Sequence, residues 1–194
     1  FTITADRLVI TTQPSNTEAN AAISPAVVVA ARDGNGGTDT TFTGNVAAAV
    51  ASGGGATGGT TSVAAVNGVA TFSNLTVTTV GAKTLDFTSA GLTTATSASF
   101  TITADRLIVT AQPTTTVAGA AIATITVAAQ DGAGNTDTTF TANVTAALTT
   151  GTGALSGTNV VAAVAGVASF STLSINLIGT DKELTFTATG LTAA

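Results

Sequence analysis

The residues of this chain best suited to chemistry are four aspartates beside glycine-rich turns. Asp33 and Asp39 flank a short run of Gly and Asn, and Asp131 and Asp137 occupy the matching positions later in the chain. Oxygen-rich loops of this kind can hold calcium. However, the residues between the two aspartates differ between the loops, and Asp in a turn commonly accepts hydrogen bonds from its own backbone. We expect the four aspartates to cap their turns, with calcium binding as the alternative and no other cofactor predicted.

The composition argues against catalysis and against nucleic-acid binding. The chain has no Cys and no His, which removes disulfides, zinc sites and imidazole or thiol chemistry. No carboxylate pair with catalytic spacing recurs. Charged residues make up only 8% and the net charge is −5, so a basic surface for nucleic acid is not expected. No apolar run reaches the roughly 18 residues of a membrane-spanning helix. The sequence predicts a non-enzymatic protein.

Two adjacent charged pairs stand out in this charge-poor chain. Asp6 and Arg7 recur as Asp105 and Arg106, at the point where one repeat would join the next. A solvated pair of neighbouring charges contributes roughly 0–1 kcal/mol. We favour a clamp at the junction, because so short a connection brings loops close to these groups. The plain solvated pair is the alternative.

Lys83 and Lys182 also occupy matching positions. Some surface Ig-like domains contain a Lys–Asn isopeptide cross-link, for which Asn45 and Asn143 are the available partners. Both lysines stand next to turns, so we expect them to be solvated and the cross-link to be absent.

An internal repeat organises the whole chain. Residues 1–8, FTITADRL, recur letter for letter at residues 100–107. One single-residue deletion and one insertion align the remaining sequence, which indicates two tandem repeats of about one domain length. The aromatic residues are all Phe and fall at matched positions, which predicts core positions: Phe1 and Phe100, Phe42 and Phe140, Phe72 and Phe170, Phe87 and Phe186.

Each repeat shows the pattern of about seven short strands. Residues 27, 29 and 31 stay apolar in both copies while Val28 becomes Thr126, so the first three face the core. Asn67-Gly68 between apolar runs is a strong hairpin signal. No helical periodicity of useful length is present. The pattern predicts an all-β protein made of two tandem Ig-like β-sandwich domains arranged end to end.

The repeat register predicts where the domains begin and end. We expect residues 5–103 to form the first repeat and residues 104–194 the second, which lacks its own last strand. Residues 1–4 would be the last strand of a preceding repeat in a longer series. This strand should pair with a neighbouring sandwich outside this copy of the chain, so that copies of the repeat assemble head to tail. The strand-pairing residues are Phe1, Thr2, Ile3 and Thr4.

Several motifs are similar to those of a known group of proteins: Leu8-x-Ile10-x-x-Gln13-Pro14, Asp33-Gly34-x-Gly36, Phe42, the GVATF of residues 68–72, and Leu85-x-Phe87. In these the chain resembles the tandem Ig-like repeats of bacterial surface proteins, including invasin- and intimin-like adhesins. The resemblance implies a stalk, shaft or filament outside the cell or on the bacterial surface. It implies no catalytic residue, and it implies that host or surface ligands bind through other domains.

Two other functions remain open from the sequence. One is a binding or spacer module attached to a secreted carbohydrate-active enzyme, although the chain has no Trp or Tyr for a sugar-binding platform. The other is a Thr array that binds ice or another surface. Such an array needs a flat grid, whereas a twisted sandwich scatters its Thr residues.

Overall fold

Alternating apolar and polar residues form short strands along residues 3–194, which are the residues described by the computed structural model. The chain divides into two units, one ending at Thr103 and the other running from Ala104 to Ala194. The described residues contain no helix, and hence none long and apolar enough to cross a membrane.

The first unit contains two main sheets. Its strands are β1 (Arg7–Thr12), β2 (Thr17–Glu18), β3 (Val27–Arg32), β4 (Asn45–Ser52), β5 (Thr57–Gly58), β6 (Ser62–Ala64), β7 (Val69–Phe72), β8 (Thr76–Val77), β9 (Gly81–Thr88), β10 (Ala95–Thr96) and β11 (Phe100–Thr103). One sheet has the order β1-β3-β7, and the other has the order β2-β11-β9-β4-β6, with β10 also paired to β9. Strands β2 and β11 run parallel, whereas the other pairs are antiparallel.

The second unit repeats this plan up to its last strands. Its strands are β12 (Arg106–Ala111), β13 (Ile125–Gln130), β14 (Asn143–Thr150), β15 (Leu155–Ser156), β16 (Val160–Ala162), β17 (Val167–Phe170), β18 (Ser174–Ile175) and β19 (Glu183–Thr187). The sheets have the orders β12-β13-β17 and β16-β14-β19. Each unit is therefore an Ig-like β-sandwich, and the predicted all-β fold with two tandem Ig-like units is confirmed.

The inward-facing residues are those that the comparison of the repeats predicted. Val27, Val29 and Ala31 on β3 are fully covered, while Val28 between them is half-exposed. Because side chains alternate between the faces of a strand, one aligned pair of substitutions was enough to assign the core face.

The core positions assigned to Phe are mostly confirmed. Five of the aromatic rings are buried: Phe72, Phe87, Phe100, Phe170 and Phe186. Phe42 and Phe140 are only half-buried, and Phe42 packs against the edge of the core. Phe1 lies outside the described residues.

The turn at Asn67-Gly68 forms, but it joins two sheets. Asn67 and Gly68 have φ angles of 51° and 80°, the left-handed backbone that such turns require. Strand β6 pairs with β4 and strand β7 with β3, so the hairpin between them is limited to the bridge Val66↔Val69. The sequence identified the turn, whereas the strand partners depend on residues far away in the chain.

Candidate functional site

Asp33 and Asp39 bind the backbone of their own loops. Asp33 Oδ1 accepts hydrogen bonds from the amides of Asn35 at 2.8 Å and Gly37 at 2.9 Å. These two amides, that of Gly37 most strongly, hold the pKa of Asp33 below its ordinary value. Asp39 Oδ1 accepts from the Thr41 hydroxyl at 2.6 Å and from its amide at 3.0 Å. The Thr41 hydroxyl is the main cause of the lowered pKa of Asp39.

Asp131 and Asp137 make the corresponding contacts in the second unit, where both are buried. Asp131 Oδ1 accepts from the amides of Ala133 at 2.9 Å and Asn135 at 3.0 Å. Asp137 Oδ1 accepts from the amide and hydroxyl of Thr139 at 3.0 and 2.6 Å. The same hydrogen bonds in both copies favour the backbone-capping role of all four aspartates.

Within residues 3–194, no group of three or more acidic, His or Cys side chains is arranged to hold a metal ion. Calcium prefers six to eight oxygen ligands, whereas the oxygens at these loops face N–H and O–H donors. Calcium binding at the four aspartates stays a prediction, and the observed geometry favours the capping role.

An alanine near the start of each unit is held by one of these aspartates. The Ala5 amide donates to Asp39 Oδ2 at 3.1 Å, and the Ala104 amide donates to Asp137 Oδ2 at 3.1 Å. Ala104 directly follows Thr103, the last residue of β11. Asp39 and Asp137 therefore fix the beginning of a unit to a loop of the same unit, a role that sequence reasoning missed. The matching position of the two aspartates was the available signal.

The charged pairs that follow these alanines also bind within their own unit. Arg7 Nη2 donates to the Asp33 carbonyl oxygen at 2.8 Å. In the second unit, Arg106 instead forms a two-pronged ion pair with Asp105, with both N–O distances at 2.8 Å. This hydrogen-bonded pairing raises the pKa of Arg106. The two copies thus use different partners, and a clamp formed by Asp6, Arg7, Asp105 and Arg106 between units stays a prediction.

The two matched lysines differ in their surroundings. Lys83 is only 1% exposed, and its Nζ donates to the carbonyl oxygens of Gly53 and Val80. The expectation that Lys83 is solvated is therefore wrong, because strand β11 pairs beside it. Asn45 begins strand β4 and Gly53 follows its end, so Lys83 and Asn45 lie near opposite ends of that strand. Lys83 thus lies about eight strand residues, roughly 25 Å, from Asn45 along β4, an arrangement that argues against a cross-link between them.

Lys182, at the matching position of the second unit, is half-exposed and donates from Nζ to the Thr152 carbonyl oxygen. Its strand environment differs because no strand within residues 104–194 takes the place that β11 has in the first unit. Ala194 still exchanges backbone hydrogen bonds with Phe186, as Ala95 pairs with Phe87. Among residues 104–194, no strand pairs with the outer edge at residues 179–182.

A groove of about 530 Å³ lies along this uncovered edge. Its apolar lining includes Val117, Ile122, Ile175, Leu177, Ile178 and Leu184. Ile178 is 86% exposed and Leu177 is also exposed, whereas Val80, which matches Ile178 in the first unit, is half-buried.

Comparisons with solved structures give several similar chains at low identity, among them the following three. The D0-D1 domain of intimin matches at 16% identity and a TM-score of 0.37, covering 98% of this chain and 96% of that one. A beta-glycosidase from Bacteroides vulgatus matches at 12% identity and a TM-score of 0.38, covering 97% of this chain and 24% of that one. A beta-glucuronidase from Parabacteroides merdae matches at 12% identity and a TM-score of 0.34, covering 96% of this chain and 24% of that one.

The chain thus spans about a quarter of the two glycosidases. At these TM-scores the likenesses carry no argument about function, and the description of the fold rests on the strand order and register given above. No protein-family model matches the chain, and a comparison with curated proteins gives no match.

Proposed function

We propose that this chain is a non-catalytic structural segment of a repeat-built protein outside the bacterial cell: a surface stalk, adhesin shaft or filament. Neighbouring copies of the repeat are its partners and follow one another head to tail. The resemblance of its motifs to tandem Ig-like repeats of bacterial surface proteins supports the extracellular location.

The observation that carries this proposal is the anchoring of Ala104. Strand β11 ends at Thr103 in the first unit, and the very next amide is bound by Asp137 of the second. The connection therefore contains no unanchored residue and no Gly or Pro. We expect a connection of this kind to restrict bending, because flexible linkers are long and rich in small residues. Restricted bending at every joint is what a rod requires.

Small-angle scattering from a polypeptide of several covalently linked repeats tests the proposal. We expect a rod-like distance distribution whose maximum grows in proportion to the number of repeats. Asp137→Ala should broaden the distribution, because it releases the Ala104 amide, while Asp181→Ala in an exposed loop should leave it unchanged. Circular dichroism verifies that both variants are folded. A compact distribution, or a chain-like one in the native protein, would overturn the rod.

A further inference from the structure

The first and last strands of the first unit run in the same direction. Arg7, the first residue of β1, bridges parallel to Thr93, and the chain continues from Thr93 through a single residue into β10 at Ala95. Strands β10 and β11 both pair antiparallel with β9, and β2 pairs parallel with β11. The chain therefore enters the unit at the start of β1 and leaves it at the end of β11, at opposite ends of strands that share one direction.

The segment that enters the unit is tied to its neighbours by backbone hydrogen bonds. The Leu8 amide donates to the Thr93 carbonyl oxygen at 2.9 Å, and the Thr93 amide donates to that of Asp6 at 3.0 Å. Strand β1 also pairs antiparallel with β3. The second unit repeats the parallel contact, since the Leu107 amide donates to the Thr192 carbonyl oxygen at 2.8 Å.

The segment that leaves the unit, β11, is held on both sides. It lies between β9, with which it is antiparallel, and β2, with which it is parallel. Just after β2, the Ala19 amide donates to the Thr103 carbonyl oxygen at 2.9 Å. The side chains of Phe100 and Ile102 are buried. Sliding β11 along its own axis would therefore break the contacts on both sides and expose two core side chains to water.

Two side chains lengthen the contact between the start and the end of the unit. Gln13 Oε1 accepts from the Ala98 amide at 3.0 Å, and Asn16 Oδ1 accepts from the Thr101 amide at 2.7 Å, each across a separation of 85 residues. These bonds extend the short β2–β11 pairing towards the start of β11. We call residues 13–19 together with residues 98–103 the terminal clamp.

The direction of the two strands decides how the terminal clamp is loaded. Tension along the chain pulls β2 towards its first residue and β11 towards its last. Because the strands are parallel, these forces point in opposite directions along a shared axis, and the strands separate by sliding. Hydrogen bonds that lie across the strands are then loaded together, whereas the bonds of a strand peeled from one end are loaded one after another.

We propose that the terminal clamp makes the first unit resistant to tension applied along the chain. The sliding of residues 98–103 past residues 13–19 is the step that limits forced unfolding, which depends on the unfolding rate rather than on equilibrium stability. The inference goes beyond the rod proposed above, because the rod concerns bending at the connections and the clamp concerns the inside of a unit.

Pulling the unit in two directions tests the terminal clamp. The chain has no Cys, so handles can be attached to the full chain through pairs of introduced cysteines. Thr4→Cys with Asp105→Cys loads the clamp by sliding, and Ala22→Cys with Asp105→Cys peels β2 and β11 apart from their shared end. At one loading rate, we expect the first pair to unfold the unit at about twice the force of the second or more, because the bonds share the load. An equal or lower force with the first pair would overturn the clamp.

Matched variants separate the terminal clamp from general stability. Asn16→Ala removes the acceptor of the Thr101 amide. Asn74→Ala removes the same kind of acceptor from the Thr60 amide, at 3.0 Å and outside the clamp. Both asparagines are exposed, so both variants should lower the denaturant midpoint of the first unit by similar amounts. Only Asn16→Ala should lower the unfolding force measured along the chain. If the two variants give the same force, tension is resisted elsewhere and the proposal is overturned.

Force on a single unit and scattering from linked repeats are independent measurements. A unit that shows no difference between the two pulling directions, within an array that scatters as a rod, would overturn the clamp alone. A direction-dependent force in an array that scatters as a flexible chain would overturn the rod alone.

Discussion

Phe72 and Phe87 pack against each other as a tilted ring pair in the core of the first unit, with ring centroids 5.2 Å apart and planes inclined by 59°. Phe72 is on β7 and Phe87 on β9, so the contact joins the two sheets of the sandwich. Phe170 and Phe186 repeat it in the second unit at 5.2 Å and 51°. All four rings are buried, which makes these pairs the main aromatic link between the sheets.

Phe72→Ala should therefore destabilise the first unit by about 3–5 kcal/mol, as truncation of a core Phe does. Phe170→Ala should do the same to the second unit, and each should affect the other unit far less, because repeats interact only with their neighbours. Denaturant unfolding measures both. Thr71→Ala, at an exposed position of the same strand, is the control and should change little. A similarly small effect of Phe72→Ala would contradict the assigned core.

The turn at Ala165-Gly166 carries a strain that the first unit avoids. Ala165 has a φ angle of 47°, where the first unit has Asn67, and left-handed backbone is unfavourable for Ala. Ala165→Gly relieves a left-handed strain of roughly 1–2 kcal/mol and adds roughly 0.4–1 kcal/mol of unfolded-state entropy. It should therefore stabilise the second unit by up to about 1 kcal/mol. Ala162→Gly, on an exposed strand position, should instead destabilise it. Equal shifts in the unfolding midpoint would refute this explanation.

Gly166 in the same turn should tolerate no side chain. A Cβ there would lie 2.3 Å from the Asp137 carbonyl oxygen, and at Gly68 it would lie 2.2 Å from that of Asp39. The contacted atoms are backbone and cannot swing away. Gly166→Ala should therefore lower the midpoint of the second unit, the opposite of Ala165→Gly one residue before it. Thermal unfolding of the two variants side by side tests the contrast, and a neutral Gly166→Ala would count against the packing of this turn.

Stability of the first unit should fall in acid. Hydrogen bonds lower the folded-state pKa values of Asp33 and Asp39 from 3.8. Their contribution is thus fully present above pH 3.8 and is lost as the pH falls below it through the lowered folded values. Urea unfolding at several pH values should show this loss. The double variant Asp33→Asn with Asp39→Asn should make the unfolding free energy less dependent on pH, because the Asn amides bind protons in neither the folded nor the unfolded state. If the unfolding free energies of the native protein and the double variant change equally with pH, these two carboxylates are not the cause of the loss.

Calcium should have at most a modest effect on the melting temperature. The aspartate oxygens at both loops already face N–H or O–H donors, which a bound cation would have to displace. Thermal unfolding with calcium and with a chelator measures the effect. If the chelator abolishes the transition, and Asp131→Asn removes the difference, the loops are calcium sites after all.

The sequence by itself determined the repeat, the strand parity and the turn positions. Each of these depends on a local pattern, such as the alternation around Val28 or the Asn67-Gly68 pair, and two copies of the pattern remove most ambiguity. Aligned Phe residues also located the rings that meet between the sheets.

The tertiary structure alone decided which strands pair and what the polar side chains bind. Lys83 is buried because β11, distant in sequence, covers it, while Lys182 at the matching position lies beside an open groove. Asp137 meets the Ala104 amide across a separation of 33 residues. No local pattern specifies such contacts, because burial and hydrogen bonding depend on which distant backbone arrives beside a residue when the sheets form.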